Sequence, residues 1–248
     1  MRIIQTVKQL KEWQLTQQDS GKTWALLPFL NGLPRESNAL LHGARIRCDL
    51  VLTVLDGNSE NNRTALSSLS DSDCDAVLLL DAELNRPCGD GLSLQFAEPY
   101  PELVRTPHYQ RLGLQLLRLF SLLRPQMTIF SLHDLPQYWL ANRINEECFL
   151  PVNITAAALA PTPTNDAQEQ LLHTVLQRCA QAISAGQDVA GTLQRGRRIL
   201  ESNGYSIRYF DCYDISTLIH TEKARADTIL WAQFDNNIQS SHSVRLGT

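Results

Sequence analysis

Four short apolar runs recur in the first two-thirds of this chain, and none is followed by a tight hairpin turn. They are Trp24–Leu30, Asp49–Leu55, Asp75–Leu80 and Met127–Leu132. Runs of this length, bounded by polar residues, read as fully buried strands. Between them lie segments with helical spacing. Pro34–Arg47 places Leu40, Leu41, Ala44 and Ile46 on or near one face, and Tyr109–Leu123 is strongly apolar until Pro125 stops it. Leu135–Glu147 reads as a further helix and Cys148–Ile154 as a fifth strand. Strands that alternate with helices imply a parallel sheet covered on both faces, an α/β fold.

The pattern changes after Ile154. Thr155–Asn165 carries two prolines among small residues and reads as a linker or surface loop. Two helices follow, Asp166–Ala185 and Val189–Asn203, closed by Gly186 and Gly204. Tyr205–Tyr213 and Thr228–Phe234 then read as strands. Helices followed by strands predict a smaller α+β domain. The expected division is a domain over 1–158 and a C-terminal domain over 159–248. Ser67–Asp75 is polar and acidic and reads as a solvated loop.

Composition narrows the function classes. Hydrophobic residues make up 43% of the 248 and charged residues 19%, which supports a sizeable core. The formal charge of −4, with no long run of Lys or Arg, argues against general nucleic-acid binding. No apolar stretch approaches the ~20 residues of a membrane helix, and MRIIQTVKQLKEW lacks the apolar run of a signal peptide. The six cysteines are scattered without zinc or redox spacing. A reduced, cytoplasmic chain without a structural metal is expected.

Three stretches carry a family resemblance. MRIIQTVKQLKEW, then Gly21-Lys22 and WALLPFLNGL, resembles the opening of pantothenate synthetase (pantoate–β-alanine ligase). Arg105-Thr106-Pro107-His108-Tyr109 is similar to the family's Arg-Pro-Gly-His-Phe, and RLFSLLRPQMTIFSLHDLPQ to the segment ending Gly-Glu-Lys-Asp-Phe-Gln-Gln. Tyr205–Asp214, Ile215–Leu218 and ADTILWAQFDNNIQ resemble the final domain in order and spacing. The resemblance implies a Rossmann-like sheet of nucleotidyltransferase type, a dimer, and a reaction in which pantoate and ATP form an adenylate that β-alanine then attacks. ATP and Mg²⁺ are the implied cofactors. Cations around the triphosphate are required because charge builds as pyrophosphate leaves.

The family's motif residues are mostly replaced. In Met-Gly-x-Leu-His-x-Gly-His the two histidines meet phosphate; here the positions hold Pro34 and Ser37, and Glu36 stands where glycine should. A helix N-terminus can still attract an anion, with Arg35 as the local cation, although a solvated first turn is enough to explain Arg35 and Glu36 and needs no ligand. In Phe-x-Asn-Pro-x-Gln-Phe only Asn58 survives, with Asn61 a shortened stand-in for the pantoate-contacting glutamine; a polar turn explains both. The family's phosphate-binding lysine is His133. Asp134 matches a ribose-contacting aspartate and Gln137 a pantoate-contacting glutamine, while a helix N-cap also accounts for Asp134. His108 has a family counterpart near Arg105 and Arg111. The arginine and paired serines of Ser-Ser-Arg-Asn are absent from Ala160–Asn165.

The nucleotide-binding candidates are therefore Asp134, Arg35 and His133, and the pantoate-binding candidates Asn58, Asn61, Gln137 and His108. Asp71, Asp73 and Asp75 cannot be matched to the family's metal-proximal acids, and no metal site is assigned. Losing several cations together, at about 3 kcal/mol or more of transition-state stabilisation each, with strong non-additivity, predicts little adenylation. The expected function is a pantothenate synthetase-like protein acting as an interaction or regulatory partner, as a homodimer or with an active relative. The competing readings are a diverged adenylate-forming ligase using Arg35, His108, His133 and Asp134, and a sensor of pantoate or nucleotide.

Overall fold

The computed structural model describes residues 1–34, 36–57, 62–80, 91–157, 167–223, 225–234 and 237–246. Backbone contacts divide the chain into two compact units, Met1–Phe130 with Leu140–Ala157, and Ser131–Trp139 with Ala158–Thr248.

The first unit is built on a sheet of six strands. In chain order the elements up to the last of these strands are β1 (Arg2–Ile4), α1 (Val7–Asp19), β2 (Trp24–Phe29), α2 (Ser37–Arg45), β3 (Leu50–Asp56), α3 (Asn62–Ser70), β4 (Ala76–Leu80), α4 (Pro107–Leu123), β5 (Met127–Ser131), α5 (Leu135–Glu147), whose first residues to Trp139 group with the second unit, and β6 (Asn153–Ala157). The strand order is β1-β4-β3-β2-β5-β6. Parallel pairing joins β1 to β4, β4 to β3, β3 to β2 and β2 to β5. Every residue of β2 and β4 is buried, as the uninterrupted apolar runs require. α1 begins where the Thr6 hydroxyl accepts the Gln9 N–H at 3.2 Å, and its Trp13 ring lies 5.0 Å from that of Trp24 on β2. α4 opens with Pro107 and ends at Arg124, whose φ of 45° turns the chain out of the helix ahead of Pro125.

The second unit adds α6 (Ala167–Ser184), α7 (Val189–Ser202), β7 (Ile207–Asp214), β8 (Thr228–Phe234) and β9 (Asn237–Arg245). The three strands form an antiparallel sheet in the order β9-β8-β7. Leu172, Leu176, Cys179 and Ile183 of α6 and Leu193 and Leu200 of α7 pack on Phe210, Cys212, Leu230 and Ala232. Alternation along the strands turns Trp231 to the opposite face, where the Tyr209 and Tyr213 rings lie 5.7 and 5.9 Å away. α7 starts at Asp188, whose carboxylate accepts the Gly191 N–H at 2.6 Å.

Several expectations need correction. The helix expected over Pro34–Arg47 is Ser37–Arg45. Ile46 lies outside it and is 72% exposed rather than part of the apolar face. Cys148–Pro151 is not strand: Phe149 takes φ 51°, and Leu150 N–H folds back onto the Asn145 carbonyl at 2.9 Å. The Asn145 side chain then donates to the Val152 carbonyl at 3.0 Å, delaying β6 to Asn153. Thr155–Ala157, expected in the linker, completes that strand, and Pro161 and Pro163 lie outside the described residues. Ser67–Ser70, expected as loop, closes α3, where Leu69 is fully buried. The described cysteines, Cys48, Cys74, Cys148, Cys179 and Cys212, are free thiols. Among the described residues no helix is long and apolar enough to cross a membrane.

Candidate functional site

β2 delivers the chain to the first motif position. Gly32 donates its N–H back to the Phe29 carbonyl at 3.2 Å with φ 100°, a conformation open to glycine at no steric cost. Pro34 then stands ahead of α2, not in its first turn as expected. The reason is a preceding turn in which Ser37 N–H reaches the Pro34 carbonyl at 3.0 Å, so the first helical bond runs from Leu40 N–H to the Glu36 carbonyl. Ser37, expected at the second family histidine position, is 6% exposed. Neither it nor Pro34 can carry charge. Glu36 takes the N-cap position without its side chain capping the helix. Its negative charge stands at the end of α2 that would otherwise attract an anion. Arg35 lies outside the described residues.

The loop after β3 is closed by a residue that sequence reasoning passed over. The Asn62 side chain donates to the carbonyls of Asp56 and Gly57 at 2.9 and 3.0 Å, while Gly57 N–H donates to Leu80 at 2.8 Å. Asn58 and Asn61 lie outside the described residues. Asp73 and Asp75, which precede β4 at the other end of the strands from this loop, serve the fold. Asp75 accepts from the Arg45 guanidinium and, at 2.7 Å, from Val51 N–H, and Arg45 also donates to the Asp49 and Asp73 carbonyls. Asp73 lies 3.0 Å from the His42 ring. Among the described residues no group of three or more His, Cys, Asp or Glu side chains is arranged to hold a metal ion.

His108 is the second residue of α4, half-buried, with its ring edge-on to Tyr109 at 4.9 Å. Arg105 faces Glu98 at 3.8 Å, and Arg111 is exposed. His108 belongs to the first unit. His133, Asp134 and Gln137 belong to the second and share one short segment.

That segment is firmly held. The Ser131 hydroxyl accepts His133 N–H at 3.2 Å and opens a tight turn over Leu132–Asp134, after which α5 starts with Leu135-Pro136. Asp134 directly precedes the helix, and Gln137, in its first turn, is 3% exposed. Three contacts fix the segment to its own unit. The Trp231 indole N–H donates to the His133 carbonyl at 2.8 Å. Ser243 N–H donates to Nδ1 of His133 at 3.0 Å. The Trp139 indole N–H donates to the Ser216 carbonyl at 2.9 Å. A backbone N–H can only donate, so Nδ1 must act as an acceptor and carry no proton. The imidazole expected at the family's lysine position is thus engaged in a main-chain contact of its own unit. Trp231 and Ser243 were invisible as site residues; the only signal was that Trp231 alternates out of phase with the core positions Leu230 and Ala232.

Two carboxyl groups of the same unit are tuned oppositely. Burial pushes the Asp211 carboxyl above its ordinary range, against the opposing pull of His220, 3.3 Å away, and Arg197. Asp214 is held below its ordinary range by Ser216 and Thr217, whose hydroxyl and backbone N–H groups all donate to Oδ1.

A parallel sheet in this strand order, followed by helices on a three-stranded antiparallel sheet, defines an α/β protein of nucleotidyltransferase type. No family model matches the chain. It is 26% identical over 249 residues to the pantothenate synthetase of Acidiphilium cryptum (strain JF-5), covering 88% of this chain and 90% of that one. Against the pantothenate synthetase of Pseudomonas savastanoi pv. phaseolicola it is 23% identical, covering 94% of each. The pantothenate synthetase structure from Thermus thermophilus shares the fold with a TM-score of 0.77, at 19% identity and 99% coverage of both chains. A pantoate-beta-alanine ligase from Francisella tularensis, complexed with beta-gamma ATP and beta-alanine, gives a TM-score of 0.65 at 16% identity, covering 98% of this chain and 96% of that one. Over nearly its whole length the chain is similar in sequence to pantothenate synthetases and shares their fold.

Proposed function

We propose that this chain is a pantothenate synthetase-like protein without ordinary pantoate–β-alanine ligase activity, acting in the cytoplasm as an interaction or regulatory partner. One observation carries the reading: His133, at the family's phosphate-binding lysine, gives its Nδ1 to the backbone N–H of Ser243. A group so engaged cannot follow the charge that develops on a departing pyrophosphate. Pro34 and Ser37 supply no cation, and Glu36 adds a negative charge at the start of α2. The partner is a second copy of the chain or an active relative.

A ligand-sensing reading keeps support from Asp134 and Gln137, which retain the family's residue types on one turn. Calorimetric titration with ATP and Mg²⁺, with and without pantoate, separates the two. No heat at millimolar ATP, with or without pantoate, leaves the partner role. Saturable heat without AMP formation supports the sensor. Saturable heat with AMP formation means that a rearranged ligase site operates.

A further inference from the structure

Three of the six histidines of this chain stand in one row within the second unit. The His133 and His242 rings lie 5.9 Å apart, and His173 stands edge-on to His242 at 5.1 Å. All three are half-buried. They come from three separate elements: the turn before α5, helix α6 and strand β9. His242 is the ring that the other two both meet, one tilted and one edge-on, and among the described residues no group of three or more His, Cys, Asp or Glu could hold a metal ion.

We propose that this row is a pH-sensitive latch, which holds Ser131–Trp139 on the β7–β8–β9 sheet when neutral and releases it on taking up protons. The acceptor role of His133 is the reason. Ser243 N–H donates to Nδ1 at 3.0 Å, and the Ser243 hydroxyl lies 3.1 Å from the same atom. A proton added to Nδ1 would face the Ser243 N–H donor to donor, so the bond to β9 must break before it binds. Charge on His133 would also stand 5.9 Å from the His242 ring, where a second charge would repel it. From the packed elements, α6 contributes His173 and β9 contributes His242 and Ser243. β8 contributes the uncharged rings of Trp231 and Phe234, the latter 6.4 Å from His242. Asp134 follows His133 in sequence and is the acidic group of the segment. Each contact that the latch uses lies within the second unit.

Amide hydrogen exchange of the full chain, followed by NMR at about pH 7.5 and about pH 5.5, tests the latch. After correction for intrinsic exchange, protection of Ser243 N–H and the Trp231 indole N–H should fall about tenfold or more. The amides pairing β7 with β8 serve as reference and should hold. His133→Gln retains an oxygen that can accept from Ser243 N–H but does not titrate here, so its protection should not respond to pH. Equal Ser243 protection at both pH values in the wild-type chain overturns the proposal. A pH response persisting in His133→Gln also overturns it. Where that variant does not fold, the wild-type comparison decides alone.

Discussion

The Trp231 indole and the His133 carbonyl are joined by a 2.8 Å hydrogen bond across 98 residues of sequence. With the Ser243–His133 bond beside it, this contact makes the motif segment part of the C-terminal unit. His133→Lys tests that description. It installs the residue type that the family resemblance implies at this position but removes the acceptor for Ser243 N–H. The variant should lose about 1–3 kcal/mol of stability in a denaturant titration. It should also fail to form pantoate-dependent AMP, since Pro34, Glu36 and Ser37 are unchanged.

Gly196 on α7 has no room for a side chain. A Cβ there would stand 2.6 Å from Cys179 Sγ and 3.0 Å from the Phe210 ring. Gly196→Ala should destabilise the protein by about 1–3 kcal/mol through overpacking. Cys179→Ala added to it should return part of that loss, because the methyl then fills the space the sulfur leaves. Simple additivity of the two substitutions in thermal unfolding would show that the contact does not govern the site.

Asp211 and Asp214 should give opposite acid profiles. The Asp211 carboxyl is raised by burial, so the stability it contributes is present below the ordinary carboxyl pKa of about 4 and lost as pH rises through the native value. Asp211→Asn should therefore gain on the wild-type chain between low and neutral pH. Asp214 is lowered, chiefly by the Ser216 hydroxyl, so its contribution is present above the ordinary pKa and lost as pH falls through the native value. Asp214→Ala should cost about 1 kcal/mol at neutral pH and little in strong acid. Denaturant titrations across pH read both.

Asp75 binds Arg45 and Val51 N–H and thereby ties α2 to the start of β3. Asp75→Ala should cost about 2–3 kcal/mol, because a cation and a backbone donor lose their acceptor together. The loss should be the same with and without Mg²⁺, as for a structural carboxylate. A variant whose stability responds to Mg²⁺ differently from the wild-type chain would assign Asp75 to a metal instead.

Much of the fold was legible because burial writes itself into composition. The runs in β2 and β4 are apolar throughout and those in β3 and β5 mostly so, as strands covered on both faces need to be, and α5 and β8 begin and end where the pattern places them. Less was legible where ends are set by backbone geometry. The turn ahead of Ser37 and the left-handed Phe149 moved two boundaries that hydrophobic spacing does not report. β9 (NIQSSHSVR) reads as polar because its place depends on backbone pairing with β8. The partners of His133 escaped for a related reason: Trp231 and Ser243 are about a hundred residues away, and the Ser243 contact is a main-chain N–H, which every non-proline residue has.

The direct test of the account is AMP release from purified protein given ATP, Mg²⁺, pantoate and β-alanine, against an active pantothenate synthetase. The account predicts no AMP above the rate without pantoate. Saturable AMP formation that requires both pantoate and β-alanine would contradict it, and would mean that a site lacking the family's cations still stabilises the adenylation transition state.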